Sequence, residues 1–592
     1  MAAPLARILD ARGATRVRIS PDETWLCYVT DLTGTPQLWR VPTAGGMPTR
    51  LTFDCDRVGA YRISPDGERI AYGADLGGNE RWQLWVMSAD GTGARCISER
   101  DDRIHHLRSW TADGRALLVL ANVRDERYFD LWSYPADGSA PRMLFQHDGV
   151  IADATALPDG GVIITTDRGR LDRTHLVLLA PDGGTTRLTP EEPEALHVVA
   201  GAVDGGAVAR TDRGREFVGL AAIGFDGSLR WLRSPDHEIE EAESEGRVDA
   251  YVANRDGLSE VRLVDGEREV VIAGLPEGAV ANDLIGDSLA LRGRTVAVAW
   301  SRYDAPSTVF VARDGEAARE VVPPILAGLA PADLPRSRLV SWESFDGRRI
   351  PGFLLTPRDA TDGPRPTVIE VHGGPEGQAR PIWNPRTVAL VASGFNVLQP
   401  NVRGSTGYGK TYRALDDVRL RMDSVRDLGA AAAWLASEGI APREGIGVMG
   451  QSYGGFMTLA AIAFFPERGW GAAVDVYGIA NFLTFYEHTA AWRRPLRAAE
   501  YGDPVRDRAF LMSISPISRL DAIRAPLMVI HGANDPRVPI VETEQIVAAL
   551  RSRGREVEYL RYEDEGHSLA KAKNRADAWP KVVAFFQQHL RP

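Results

Sequence analysis

The sequence predicts two domains: a β-propeller of seven blades, and after it an α/β domain whose mostly parallel sheet is covered on both faces. Three observations predict this. Turn motifs recur at a near-constant interval through the first half of the sequence. Apolar strands alternate with helices through the second, and a segment rich in proline and alanine parts the two.

The repeat opens the argument because it sets the architecture of everything before it. "ISPDETWLCYVTD" begins at Ile19, "ISPDGERIAYGAD" at Ile63, "SWTADGRALLVLAN" at Ser109 and "ALPDGGVIITTD" at Ala156. The turn aspartates Asp22, Asp66, Asp113, Asp159 and Asp204 are 44, 47, 46 and 45 residues apart. A second signature keeps phase with them: "PQLWRV" around Leu38, "WQLWVM" around Leu84, "FDLWSY" around Leu131 and "THLVLL" around Leu176. Short apolar runs alternating with Pro/Asp/Gly turns read as antiparallel strands. About four such strands in each period match a propeller blade. Fainter units follow near Asp204, from Arg247 and from 286, so seven fit between residues 15 and 313. The propeller is expected over 1–325.

"VVPPILAGLAPADLPRS" (321–337) lacks strand alternation, and a linker is expected at 326–337. From 338 to 592 the texture changes. "RLVSWESFDGRRIPGFLLTP" reads as a hairpin; "PTVIEVHGGP" and "GFNVLQPNVRG" are apolar strands ending in glycine turns. "VRDLGAAAAWLASEG" is helical, and "GIGVMGQSYGGFMTLAAIAFF" is strand, turn and helix. "GAAVDVYGI", "APLMVIHGAND" and "VEYLRYEDEGH" are further strands, and the sequence closes on the helical "ADAWPKVVAFFQQHL". Near-continuous apolar strands alternating with helices form a parallel sheet buried on both faces.

Composition narrows the partners. With 592 residues the protein is too long for one core. Its net charge, 69 − 80 = −11, argues against nucleic acid, which demands a basic face. Cys27, Cys55 and Cys96 are odd in number and lack ligand spacing, so neither a disulfide framework, a metal nor another cofactor is expected. The N-terminus has no apolar signal region, and no apolar run approaches about 18 residues. A cytoplasmic protein with no membrane partner is expected, and a homo-oligomer is compatible with the sequence.

In such a sheet the reactive groups gather beyond the carboxyl ends of the strands. After "GIGVM" comes Ser452, after "APLMVI" comes Asp535, and after "VEYLRYE" comes His567. The order Ser, acid, His is that of an α/β-hydrolase. A serine hydroxyl is a poor nucleophile at neutral pH and needs a base in hydrogen-bond reach. His567 supplies a base of suitable pKa, and a buried Asp535 would hold its tautomer. The oxyanion of an acyl-transfer intermediate needs two donors. The Tyr453 N–H, next after the nucleophile, is one; the Gly374 N–H, in the "HGGP" turn after an earlier strand, is the other.

Taken together, "HGGP", "NVRGSTGYG" (401–409), "GQSYGGF", "NDPRVP" and "EGHS" behind a propeller resemble the prolyl oligopeptidase family of serine peptidases. "HGGP" is most similar to the acylaminoacyl peptidase branch. The resemblance implies Ser452, Asp535 and His567 as the triad, with Gly374 and Tyr453 amides as oxyanion donors. Where other branches use a tyrosine hydroxyl for one donor, Gly373-Gly374 argues against it here. The resemblance further implies that the propeller caps the site and admits only short or unfolded peptides. It also implies that segment 474–492 lines the pocket for the residue before the scissile bond. Tyr477, Phe482, Phe485, Tyr486 and Trp492 in that segment favour an apolar or aromatic residue. At the family-matched position, Arg537 would bind a substrate carbonyl or carboxylate. Dipeptidyl peptidases of the family hold the substrate's amino terminus with a glutamate pair in the propeller. The acidic "HEIEEAESEG" (237–246) does not match that element and reads as a solvated edge, so strict dipeptidyl release is not expected.

The leading reading is a serine peptidase cleaving short peptides through an acyl-enzyme. The same triad would serve an amidase or esterase acting on an acylated small metabolite. A third reading is a propeller binding protein with a relic hydrolase domain, against which the complete triad speaks.

Overall fold

The computed structural model describes residues 3–53, 57–98, 102–170, 172–191, 194–281, 287–358 and 363–590. Seven antiparallel sheets of four strands, or five in the last, follow one another through the first half. Their innermost strands are Ala14–Ile19, Arg57–Ile63, His105–Trp110, Ile151–Ala156, His197–Val203, Glu238–Glu245 and Leu289–Arg292. These stand side by side in sequence order, and the seventh returns to the first. The sheets are thus the seven blades of a propeller. Backbone hydrogen bonds between Arg12 and Ile325, 2.9 Å in each direction, tie the start of the ring to its end.

The repeated motifs have a local cause. The Ser20, Ser64 and Thr111 hydroxyls donate to Asp22, Asp66 and Asp113 at 2.6, 2.5 and 2.7 Å. The same carboxylates accept the N–H two residues on, from Thr24, Glu68 and Arg115. Each turn is therefore closed by its own aspartate. The leucines of the second signature, Leu38, Leu84, Leu131 and Leu176, are all fully buried. Turn and core residue together rebuild the same blade at each period.

The second half forms one eight-stranded sheet. Its strands are β1 (Arg336–Glu343), β2 (Arg349–Thr356), β3 (Thr367–Val371), β4 (Asn396–Pro400), β5 (Ile446–Gln451), β6 (Ala472–Val476), β7 (Leu527–Gly532) and β8 (Val557–Tyr562). They lie in the order β1-β2-β4-β3-β5-β6-β7-β8. β2 runs against both neighbours, and every later pairing is parallel. The helices that matter here are α1 (Pro385–Ala392), α2 (Arg421–Ser437), α3 (Tyr453–Phe464), α4 (Phe482–His488), α5 (Arg493–Tyr501), α6 (Val541–Arg551) and α7 (Ala572–His589). Successive strand residues feed opposite cores, as the pleat requires. Val448 and Val529 pack with Leu428 of α2, Phe456 of α3 and Leu550 of α6. Met449, Met528 and Ile530 pack with Leu390 of α1 and Phe586 of α7.

The N-terminal helix, Ala3–Asp10, departs from the expected division at 1–325. Ile8 and Leu9 join the second of those cores, beside α1 and α7, rather than a blade. Leu329 and Leu334 join it too, so the expected linker packs against the sheet domain and is no free tether. These apolar residues find a wider core there than any single blade offers. Cys27 is buried and Cys96 exposed, both as free thiols; Cys55 lies outside the described residues. Among the described residues no helix is long and apolar enough to cross a membrane.

Leu120 sits fully buried between the third and fourth blades, against Ile164 and Phe129. Leu120→Ala is expected to destabilise the protein by about 3 kcal/mol, the usual cost of a buried leucine truncation. Urea unfolding followed by tryptophan fluorescence measures it, and an unchanged midpoint would contradict the packing described.

Candidate active site

The turn between β5 and α3 forces Ser452 to φ 58° and ψ −120°, a backbone conformation L-residues rarely adopt. The turn is anchored by the Ser452 N–H on the Val476 carbonyl at 2.9 Å and the Phe456 N–H on the Ser452 carbonyl at 3.0 Å. A Cβ on Gly454 would run into the Val371 carbonyl, and one on Gly450 into the Gly454 carbonyl. Only glycines let α3 approach the sheet this closely.

The loops after β7 and β8 reach the same point. His567 Nε2 lies 3.0 Å from Ser452 Oγ, and its Nδ1 lies 2.6 Å from Asp535 Oδ2. The other Asp535 oxygen accepts the N–H groups of Arg537 and Val538 at 2.8 and 3.0 Å. Burial would raise the Asp535 carboxyl, but His567 and His531 beside it outweigh burial and hold it well below the usual carboxylate range. Burial lowers the His567 pKa below its ordinary value, with Asp535 opposing. His531 is itself locked, between Thr543 Oγ1 at 2.7 Å and the Val538 carbonyl at 2.8 Å.

The "HGGP" turn arrives from β3. A Cβ on Gly373 would stand 3.5 Å from the Ser452 Cβ, so this turn borders the serine directly. His372 braces it, with Nδ1 2.8 Å from the Gly373 carbonyl and Nε2 2.8 Å from Ser405 Oγ. Arg497 Nη1 donates to the Gly374 carbonyl at 3.4 Å and to Glu376 at 3.3 Å.

The propeller reaches this cluster through a loop of its second blade, residues 76–82, and through Arg57 of the same blade, which donates to Ser568 Oγ at 3.4 Å. Asn534 Nδ2 donates to the Gly77 carbonyl at 3.1 Å. The backbones of Gly78 and Gly566 touch so closely that a Cβ on either would collide with the other backbone. Glu80, at φ 59°, accepts the Arg537 Nε on both carboxylate oxygens at 2.9 Å. Asp75 fixes the loop by pairing with Arg57 at 2.7 Å and accepting the Glu80 N–H at 2.9 Å.

The aromatic segment is placed otherwise than expected. Phe482 and Phe485 have almost no free surface and pack in the core with Phe456 and Tyr501. Tyr486 is buried as well, its hydroxyl donating to the Gly502 carbonyl at 3.0 Å. These three cannot face a substrate in this conformation, because α4 turns them inward beneath α5. Tyr477 packs its ring 4.7 Å from His567 and donates to Gln451 at 3.0 Å. Trp492 stands edge-on to Phe129 of the propeller at 5.5 Å and is partly open. Arg537 donates its N–H to Asp535, but its side chain is engaged by Glu80.

The acidic run 237–246 is a correction of another kind. It forms the inner strand of the sixth blade, and its carboxylates are consumed inside the protein. Glu240 pairs with Arg380 of the sheet domain, Glu243 with Arg18, and Glu241 accepts the N–H groups of Ser288 and Leu289. Arginines that the charge pattern did not reveal convert an apparent solvated edge into a domain contact.

Beneath the serine lies a buried charge network invisible to motif reading. The Tyr453 hydroxyl donates to Asp416 at 2.9 Å and accepts from Arg421, which also bonds Asp416 and the Glu500 carbonyl. From the propeller, Arg170 pairs with Asp417 and Glu500. Asp416, Asp417 and Glu500 bring their oxygens close enough to hold a metal ion, but Arg421 and Arg170 already bond all three.

Comparison with known proteins places this geometry in context. Residues 383–592 match the model of the prolyl oligopeptidase family. The dipeptidyl aminopeptidase BIII of Pseudoxanthomonas mexicana is 27% identical over 590 residues, covering 94% of the present sequence and 84% of that protein. Acylamino-acid-releasing enzyme 2 of Oryza sativa subsp. japonica is 26% identical over 256 residues, 41% of the present sequence and 33% of that one. Among solved structures, a puromycin-hydrolyzing peptidase of Mycobacterium tuberculosis superposes with a TM-score of 0.86. It is 20% identical, and the match covers 100% of the present sequence and 96% of that one, a likeness of fold.

Gly566→Ala would drive its methyl into the Gly78 carbonyl and displace the loop carrying His567. Turnover is expected to fall about 10²-fold, the scale of a 1 Å misplacement, without unfolding. Steady-state kinetics beside circular dichroism checks this, and unaltered turnover would show that the loop has slack.

Proposed function

Since the protein belongs to the prolyl oligopeptidase family through residues 383–592, we propose that Ser452, Asp535 and His567 are its catalytic triad and that it hydrolyses short peptides through an acyl-enzyme. The observation that supports this most is the continuous path from Asp535 through both His567 nitrogens to Ser452 Oγ. In the first step Ser452 Oγ attacks the scissile carbonyl while His567 Nε2 takes its proton. The oxyanion is received by the N–H groups of Tyr453 and Gly374, at the start of α3 and in the turn bordering Ser452. Collapse expels the amine, which takes the proton back from His567 and leaves an ester on Ser452. Water, deprotonated by His567, then attacks that ester, and the acid and the free serine are regenerated.

The names of the two relatives, a dipeptidyl aminopeptidase and an acylamino-acid-releasing enzyme, both describe release from an amino end, and this is the mode we assign. Selection for short peptides is our reading of the propeller, whose loop 76–82 packs on Asn534, Gly566 and Arg537, the residues flanking Asp535 and His567. The apolar preference before the scissile bond rests on Trp492, the partly open member of the aromatic segment. Digestion of a peptide library read by mass spectrometry, with aminoacyl anilides, blocked peptides and simple esters compared in parallel, tests substrate class and mode. Exclusive turnover of esters would overturn the peptidase assignment.

Ser452→Ala is expected to lower kcat by roughly 10⁶, as loss of a triad nucleophile does elsewhere. Retained turnover would refute the triad. His567 must be neutral to act as base, so kcat/KM falls as pH drops through its pKa. Because burial depresses that pKa, the acid limb should lie below about 6.5, the value of an unperturbed imidazole. A pH profile of kcat/KM with its inflection above neutrality would contradict the environment described for His567.

A further inference from the structure

Helix α5 runs as a wall along the site. The segment leading into it sits beside the loop carrying the acid, where the Ala490 N–H meets the Pro536 carbonyl at 3.2 Å and Thr489 Oγ1 donates to the Arg537 carbonyl at 2.8 Å. One turn on, Arg497 reaches the Gly374 carbonyl of the turn bordering Ser452. Arg493, Arg497 and Glu500 fall at i, i+4 and i+7 and therefore share a face. Arg497 is paired with Glu376, and Glu500 with Arg421 and Arg170.

Arg493 differs. Its backbone N–H is held by the Ala490 carbonyl at 2.9 Å, but among the described residues its guanidinium makes no hydrogen bond or ion pair, and its Nε is buried. The Trp492 ring, 5.2 Å from its guanidinium carbon, is its neighbour. The carboxylates on either side, Glu80 and Glu376, are taken by Arg537 and Arg497. Burial and the positive charges of Arg497 and Arg537 push the Arg493 pKa down to about 9, with Glu80 opposing. Arg493 as a whole is half-buried, and a cation without a counter-ion in that position is free to take an anionic partner. The guanidinium fork suits a carboxylate above other groups.

We infer that Arg493 is the docking point for a carboxylate of the bound peptide, so that the enzyme selects substrates carrying a negative charge close to the scissile bond. The inference rests on the assignment of Ser452 as nucleophile, since that puts α5 beside the bound peptide. The peptide's free C-terminus and an acidic residue within it offer the same chemistry.

Calorimetric binding, which needs no turnover, separates these sources. The probes are Ala-Phe-Glu and Ala-Phe-Gln, each with a free and an amidated C-terminus, titrated into the Ser452→Ala protein. A carboxylate-bearing peptide should bind about tenfold more tightly than its uncharged twin, the margin of a charge-assisted hydrogen bond. In Ser452→Ala/Arg493→Gln that margin should shrink to within about twofold, with Arg493→Lys retaining part of it. A margin lost on amidation assigns the terminal carboxylate, and one lost on exchanging Glu for Gln assigns the acidic residue. Equal binding of all four peptides, or a margin that persists without Arg493, overturns the inference. Fluorophosphonate labelling of the wild-type protein keeps the two questions apart. Labelling of Ser452 beside equal binding leaves the peptidase standing and removes this site, whereas failure to label removes both.

Discussion

Ser452 occupies a backbone conformation that costs of order 1–3 kcal/mol, and it persists because its surroundings leave it no alternative. The Val476 carbonyl holds its N–H, α3 begins one residue later, and the Val371 and Gly454 backbones close in around Gly454 and Gly450. Relaxing the turn would require pulling α3 from the sheet, and with it Phe456 and Met457, both fully buried. Core packing therefore maintains the strain, and the strain projects the hydroxyl beyond the strand end. Every other contact in the site is arranged around that one fixed atom.

The partners of Ser452 are less firmly held by their own domain. β8 is the edge strand of the sheet, with β7 its one neighbour, and the loop carrying His567 extends from it. The loop after β7 carries Asp535 and runs beside it. The propeller adds to the bonds their own domain supplies: Gly77 and Gly78 against Asn534 and Gly566, and Glu80 on Arg537. The propeller thus contributes to the geometry that joins Asp535 and His567 to Ser452. Hydrogen-bond distances of 2.6 and 3.0 Å tolerate little drift. A separation of the two domains would loosen His567 and Asp535 before it disturbed Ser452, which links access to the site with its competence.

How much of this was legible depends on whether the signal was local. The blades could be read because each turn aspartate bonds its own hydroxyl and amides, and because one leucine per period is buried; both causes lie within a few residues. The order of strand ends placed Ser452, Asp535 and His567 because parallel strands deliver successive loops to one edge. Glu80 could not be read at all, since its partner Arg537 is 457 residues away and no motif surrounds it. The acidic strand 238–245 misled for the same reason: Arg380 and Arg18, which neutralise it, lie far off in sequence. The aromatic segment misled differently. Phe482 and Phe485 have the composition of a pocket wall, but aromatic residues fill cores as readily as they line pockets. Sequence alone does not say which way α4 is rolled.

The charges around the site bear on selectivity in a way the net charge does not. At −11 the protein repels anionic peptides at long range, but at physiological salt that field decays over about 8 Å and affects encounter more than residence. Within the interface the position is reversed, because buried charges are screened far less. Arg493, Arg497 and Arg537 lie along one wall, and the protein's own carboxylates satisfy the second and third of these. The protein's acidity and its unpaired guanidinium therefore act at different stages of binding. An anionic peptide should arrive more slowly than a neutral one yet leave more slowly still, so the local charge governs the equilibrium while the global charge governs only the approach.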